Sequence, residues 1–191
     1  MTRIAIHSKI TRAELAAVVY KAIHEDLGDD PVLVGGAVVS IYTEGRYLSN
    51  DLDIVTWCDD QKLKPVMTKL GFEKKGMYWQ HAKTDLLIQF VGSPVMIGRK
   101  YVKVPSRLQT PAGELSIISP LDSACDRLAW YLGESDPQTL EQCVDIIVTQ
   151  NVPLAGITRW LKNEQWPEQT KKATMVLLKK KVARQRKALA P

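Results

Sequence analysis

The stretch VLVGGAVVSIYTEGRYLSNDLDIVT, residues 32–56, carries the local signals that decide the fold. Its apolar β-type opening, Val32, Leu33 and Val34, ends at Gly35 and Gly36, and the AVVSIYT that follows reads as a helix packed against a sheet. A strand, a tight turn and a helix start leave backbone N–H groups free at the positive end of the helix dipole. The missing Cβ atoms let phosphate oxygens come close to them. Ser49-Asn50-Asp51-Leu52-Asp53-Ile54-Val55 comes next, and in it Asp51 and Asp53 open a strand and project from one face. Two neighbouring carboxylates repel unless cations join them. Mg²⁺ held by one or two carboxylates plus substrate phosphates is the usual answer, and two such ions roughly 3.5–4 Å apart clamp the attacking and leaving oxygens of an in-line displacement.

A third carboxylate stands further along. The segment FEKKGMYWQHAKTDLLIQFV predicts two antiparallel strands, 72–80 and 84–91, joined by a polar turn at 81–83. In the second strand Leu86, Ile88 and Phe90 form one face and Asp85, Leu87 and Gln89 the other. With that strand beside the Asp51/Asp53 strand, Asp85 is placed to bind one metal and act as general base on an acceptor hydroxyl.

The order Gly35-Gly36, Asp51-Leu52-Asp53-Ile54, Asp85 resembles the DNA polymerase β-like nucleotidyltransferase superfamily, whose members carry a glycine pair or Gly-Ser, an acidic pair two residues apart and a third carboxylate. The downstream SPLDSACDRLAWYLGESDPQTLEQCVDII, residues 119–147, is similar to the helical part of bacterial AbiE-type toxin nucleotidyltransferase-like proteins. The resemblance spans residues 32–147. It implies transfer of a nucleoside monophosphate from an NTP, dependent on Mg²⁺ or Mn²⁺, with pyrophosphate leaving. Asp51, Asp53 and Asp85 would be catalytic and metal-binding, and Gly35, Gly36, Ser49 and Arg127 would bind the NTP. The implied acceptor is a hydroxyl on RNA, such as a tRNA 3′ end, or on a protein side chain, with a cognate toxin or antitoxin protein as a further partner. Two positions depart from the pattern. Gly36 stands where many relatives have serine, which leaves Ser49 to supply a hydroxyl, and Arg127 stands for the usual helical lysine, keeping the charge but not the geometry.

Other readings stay open at this level. A glycine pair is common in ordinary turns, and Arg127 either reaches a phosphate or pairs with Asp122, Asp126 or Glu141. A small-molecule nucleotidyltransferase of the aminoglycoside type and a non-catalytic nucleotide-binding interaction module remain alternatives. Several classes are excluded. An EF-hand loop fails because Asp51-Leu52-Asp53 runs into Ile-Val-Thr-Trp, and a Rossmann site fails because GGAVVS is not GxGxxG. Cys58, Cys125 and Cys143 are odd in number without CxxC spacing, so small buried thiols are expected rather than a disulfide framework or zinc site. His7, His24 and His81 are too scattered for a metal cluster or triad.

The chain has 191 residues, 45% of them hydrophobic, enough for a substantial core. No apolar run approaches the ~18 residues of a membrane span, and MTRIAIHSKI lacks an export signal's apolar region, so a cytoplasmic protein with no membrane partner is expected. A capping box, Thr11-Arg12-Ala13-Glu14, opens a helix reaching about residue 27, and a second helix spans about 61–70 before Gly71. Short β-type pieces follow at 100–104 and 114–118. Beyond them, Ser119-Pro120, Asp136-Pro137, 151–153 and Trp166-Pro167 mark the starts of about four helices. The expected architecture is therefore α/β (α+β): a nucleotidyltransferase-type mixed sheet flanked by helices, residues 1–118, followed by a helical lobe, residues 119–191.

Charge is unevenly distributed. Eight basic and no acidic residues lie in 171–191, leaving 18 basic against 21 acidic elsewhere, so the net +5 combines a −3 body with a +8 tail. Such an element either attracts a phosphate backbone, RNA being the partner considered, or is a solvated helix end. Trp160 and Trp166 precede it, at helical spacing with Ile157 and Leu161, and read as core, with stacking on bases as the alternative.

Overall fold

The structure, a computed structural model, describes residues 5–189. Residues 1–4 of the stretch read for an export signal and residues 190–191 of the basic tail lie outside the described residues. Thr11 sets the first helix: its hydroxyl accepts from Glu14 N–H while the Glu14 carboxylate takes the Thr11 N–H, so α1 (Arg12–Leu27) opens with a closed capping box. Strand β1 (Val32–Val34) then passes directly into α2 (Gly35–Tyr42), and an eight-residue loop delivers β2 (Asp51–Thr56). Helix α3 (Asp60–Lys69), capped by the Asp59 side chain, ends before Gly71, whose φ is +90°.

The 72–80 region is two strands rather than one. β3 (Phe72–Lys75) and β4 (Tyr78–His81) form a hairpin, because Gly76 takes φ +62° in the two-residue loop that pairs Lys75 with Tyr78. The aromatic residues that suggested a single strand divide between the two, with Phe72 and Trp79 both buried. β5 (Thr84–Gly92) follows close to its expected bounds. The 100–104 piece shrinks to β7 (Lys100–Tyr101), which pairs with β6 (Met96–Ile97) in a separate hairpin. β8 (Ser106–Thr110), which has no strong strand signal of its own, pairs with β9 (Gly113–Ile117).

Seven strands form one mixed sheet in the order β3-β4-β5-β2-β1-β9-β8. β2 runs antiparallel to β1 and parallel to β5, which puts the acidic strand at the centre of the sheet. Alternation then sorts its side chains. Leu52 and Ile54 are buried on one face and continue across β5 with Leu86 and Ile88, while Asp51, Asp53 and Val55 take the other face.

Four helices follow: α4 (Pro120–Glu134), α5 (Pro137–Thr149), α6 (Leu154–Asn163) and α7 (Glu168–Leu189). Ser119 and Asp136 cap the first two, each with proline in the first turn. α4 and α5 pack on each other and on α2, closing over the sheet beside the glycine turn. Trp160 is buried and donates its indole N–H to Ile97 O at 3.1 Å, and Trp166 packs against the core. Cys125 and Cys143 are buried free thiols and Cys58 is a half-buried one. No helix among the described residues is long and apolar enough to cross a membrane.

Candidate active site

Gly35 and Asp53 meet because β1 and β2 are antiparallel with Val34 opposite Asp53, so the residue after Val34 turns over the Asp53 side chain. Gly35 has φ +71°, and a Cβ there would overlap Asp53 Oδ2 and lie 3.2 Å from its Cγ. Gly36 is tight against the next residue of the site, since a Cβ on it would sit 3.0 Å from Ser49 Oγ. Both glycines therefore make room for side chains of the acidic segment. Val34, the N-cap of α2, provides no side-chain hydrogen bond, so the amides at the helix start have no side-chain cap and form the positive end of its dipole.

The loop before β2 is fastened on several sides. Ser40 Oγ donates to Tyr47 O and accepts from Ser49 N at 3.1 Å, Arg12 Nε donates to Ser49 O, and Arg46 pairs with the buried Asp145 of α5 at 2.9 Å. Ser49 Oγ donates to Asp51 O at 3.1 Å, so its hydroxyl proton serves the loop.

Asp53 opens onto a cleft of about 560 Å³ together with Gly35, Gly36 and, from α4, Asp126, Arg127 and Trp130. Burial pushes the Asp53 carboxyl above its ordinary range, Asp51 adds to the rise, Arg127 offsets part of it and Asp126 adds slightly more. Arg127 does not stand free. Its Nε donates to Asp126 Oδ2 at 3.0 Å, with side-chain exposures of 13% and 21%. Of the pairings considered from sequence it takes Asp126; Asp122 is paired with Lys100 and Glu141 with Lys181.

Asp85 is not brought to the cleft. The parallel register sets Leu87 opposite Asp51 and Gln89 opposite Asp53, so Asp85 is one pleat repeat, about 6.6 Å, further back along β5. It is exposed in a separate depression with His7 and Lys83. Among the described residues no three His, Cys, Asp or Glu side chains gather to hold a metal, so Asp85 does not join Asp51 and Asp53 in the expected three-carboxylate arrangement. Asp51 and Asp53 do suit a divalent cation. They are oxygen donors on one strand face, and a cation would relieve the repulsion and burial that hold the Asp53 carboxyl high.

Trp130 and Met96 belong to the cleft but were not among the expected site residues. Trp130 is three residues after Arg127, a spacing that sets both on one face of α4 and is readable once that helix is accepted. Met96, in a Gly/Pro-broken segment, has no comparable signal.

No family model matches the sequence, and no curated protein matches it. Among solved structures, an antigenic nucleotidyltransferase-like protein from Paracoccidioides brasiliensis superposes with a TM-score of 0.54 at 13% identity, covering 96% of this chain and 92% of that one. The antibiotic-resistance factor ANT(2'')-Ia superposes in a solution structure with a TM-score of 0.46 at 11% identity, covering 92% and 95%. In a crystal structure with adenylyl-2''-tobramycin it superposes at 0.42 and 12%, covering 88% and 94%. The fold is that of nucleotidyltransferase-like proteins.

Proposed function

We propose that the protein is a Mg²⁺-dependent nucleotidyltransferase that moves a nucleoside monophosphate from an NTP to a hydroxyl acceptor, RNA being the acceptor favoured. The observation that carries this reading is the Asp53 carboxylate seated against Gly35 at the uncapped start of α2, in one cleft with Arg127. Asp51 and Asp53 would hold the metal, which when bound supplies charge neutralisation at the reacting phosphate. The α2 amides orient the triphosphate, and Arg127, positioned by Asp126, counters the charge gathering on the leaving pyrophosphate. The acceptor oxygen attacks the α-phosphorus, the bond to the pyrophosphate oxygen breaks, and the acceptor's proton leaves. Leu87 and Gln89 offer no base beside the pair, so the proton passes either to Asp126 or to water in the open cleft.

The acceptor reading rests on α7. Lys171 and Lys181 are engaged with Glu168 and Glu141, but Lys172, Lys179, Lys180, Arg184, Arg186 and Lys187 are exposed and have no carboxylate partner among the described residues. Lys172, Lys179 and Arg186 recur every seven residues along one side of the helix, spanning about 21 Å, a row suited to a phosphate backbone. A toxin–antitoxin setting is part of the proposal on the sequence resemblance of residues 119–147 alone. Incubation with each α-labelled NTP, Mg²⁺ and either total RNA or whole lysate tests the reaction. Label is expected in RNA and absent with Asp53→Asn; label in protein or a small molecule would replace the acceptor, and no label in any fraction would overturn the activity.

A further inference from the structure

The geometry points to Trp130 as a stacking platform for the base of the bound nucleotide, with Met96 as the apolar contact beside it, an inference that rests on the nucleotidyltransferase reading above. Trp130 is 50% exposed and Met96 47%, although both line a cleft and belong to elements, α4 and β6, that pack against each other. Large apolar side chains left half bare inside a concave site mark a place for an apolar surface. The charged groups in the same cleft specify what else the occupant carries. Arg127, paired with Asp126, lies one helical turn before Trp130 on the same face of α4, and Asp53 and the glycine start of α2 line the cleft from the sheet side. An occupant with an anionic end for Arg127 and a flat ring for the indole is a nucleotide. The thioether of Met96 is polarizable and adapts to a ring edge.

The hairpin wall that faces the indole is well fixed. The β6–β7 hairpin that carries Met96 is held to the helices by Trp160 Nε1 on Ile97 O, by Lys100 on Asp122, and by the buried Glu164 carboxylate, which accepts the Arg99 N–H at 3.0 and 3.2 Å. Gly98 allows this last contact, since a Cβ there would come within 2.5 Å of Glu164 Oε2. The wall opposite Asp53 is therefore pre-formed, which lowers the ordering cost of binding.

Stacking on an aromatic side chain is worth enough that its loss reads as about a 10- to 100-fold change in affinity. Calorimetric titration of wild type, Trp130→Ala and Trp130→Phe with ATP, GTP, CTP, UTP and inorganic tripolyphosphate, all with Mg²⁺ and no acceptor, tests the platform. Wild type is expected to bind at least one NTP more tightly than tripolyphosphate. Trp130→Ala should lose about 10- to 100-fold toward that NTP with tripolyphosphate affinity unchanged, and Trp130→Phe should recover most of the loss. Equal NTP affinity in wild type and Trp130→Ala overturns the platform, as does equal loss toward NTP and tripolyphosphate, which would place Trp130 in the fold or the phosphate site. Wild type binding tripolyphosphate and NTPs alike removes the base contact but leaves the phosphate site standing. Wild type binding neither fails the nucleotidyltransferase reading itself.

Discussion

The Asp53 carboxylate occupies the space that a side chain on Gly35 would need. The glycine turn and the acidic strand are thus one feature in three dimensions: the backbone that opens α2 is also the surface on which the Asp53 carboxylate rests. Gly35→Ala should be destabilised by about 1–2 kcal/mol from the left-handed backbone alone, with the overlap adding to that. In an Asp53→Ala background the same substitution should cost less, because the overlapping oxygen is gone, and a double-mutant cycle in denaturant reads the difference. Additive effects would mean that the two residues relax apart.

Asp53 also sets a pH dependence. Its folded-state carboxyl is raised by burial and by Asp51, so the ionised form costs the native state stability above the folded pKa. That cost shrinks as pH falls through the raised value and vanishes below the ordinary carboxylate range. Asp53→Asn removes the cost. At pH 7 without metal the variant should melt higher than wild type, by about 2–4 °C for each kcal/mol relieved, and the gap should close in acid. Mg²⁺ at pH 7 should raise the wild type's Tm and leave the variant's unchanged. A variant that melts lower at every pH would show that Asp53 acts as an ordinary structural carboxylate.

How much of this was legible in the sequence follows from the range of the interactions. Capping boxes, prolines in first helical turns and period-two alternation act over a few residues, so α1, the four later helices and the two faces of β2 were readable. Gly76 was visible as a residue, but its hairpin was outweighed by the β-forming Phe72, Tyr78 and Trp79 around it. The register between β2 and β5 is a long-range choice. Alternation correctly put Asp85 on the same face as Leu87 and Gln89, but nothing local says which of them stands opposite Asp51. Trp130 was visible beside Arg127 on its helix, but it had no assigned role, since a half-exposed aromatic on a helix gains meaning only from the strand pair that faces it.

That register makes Asp85 testable. With Leu87 and Gln89 beside the acidic pair and Asp85 exposed next to Lys83, Asp85→Asn should leave kcat/KM unchanged, while Asp51→Asn lowers it at least about a hundredfold with the fold intact. Circular dichroism establishes folding and steady-state kinetics the rest. A large loss of kcat in Asp85→Asn would mean that β5 shifts when substrate binds.

The tail separates RNA binding from nucleotide binding. Lys171 ties α7 to α6 through Lys162 O at 3.3 Å, Lys181 ties it to Glu141 of α5, and Thr174, Leu178 and Val182 bury its inner side, so truncation would expose core and confuse the outcome. Charge reversal on the outer row avoids this. Lys172→Glu, Lys179→Glu and Arg186→Glu together should weaken RNA binding and lower the slope of log affinity against log salt by about 2–3 units, each lost phosphate contact removing somewhat less than one. NTP affinity should be unaltered, because none of the three residues lines the cleft. The same reversal of Lys171 and Lys181 should instead lower Tm, since each breaks a pairing that fastens the helix. If the outer-row variant binds RNA with the wild-type salt slope, the row is a solvated face, and a protein or small-molecule acceptor becomes the favoured reading.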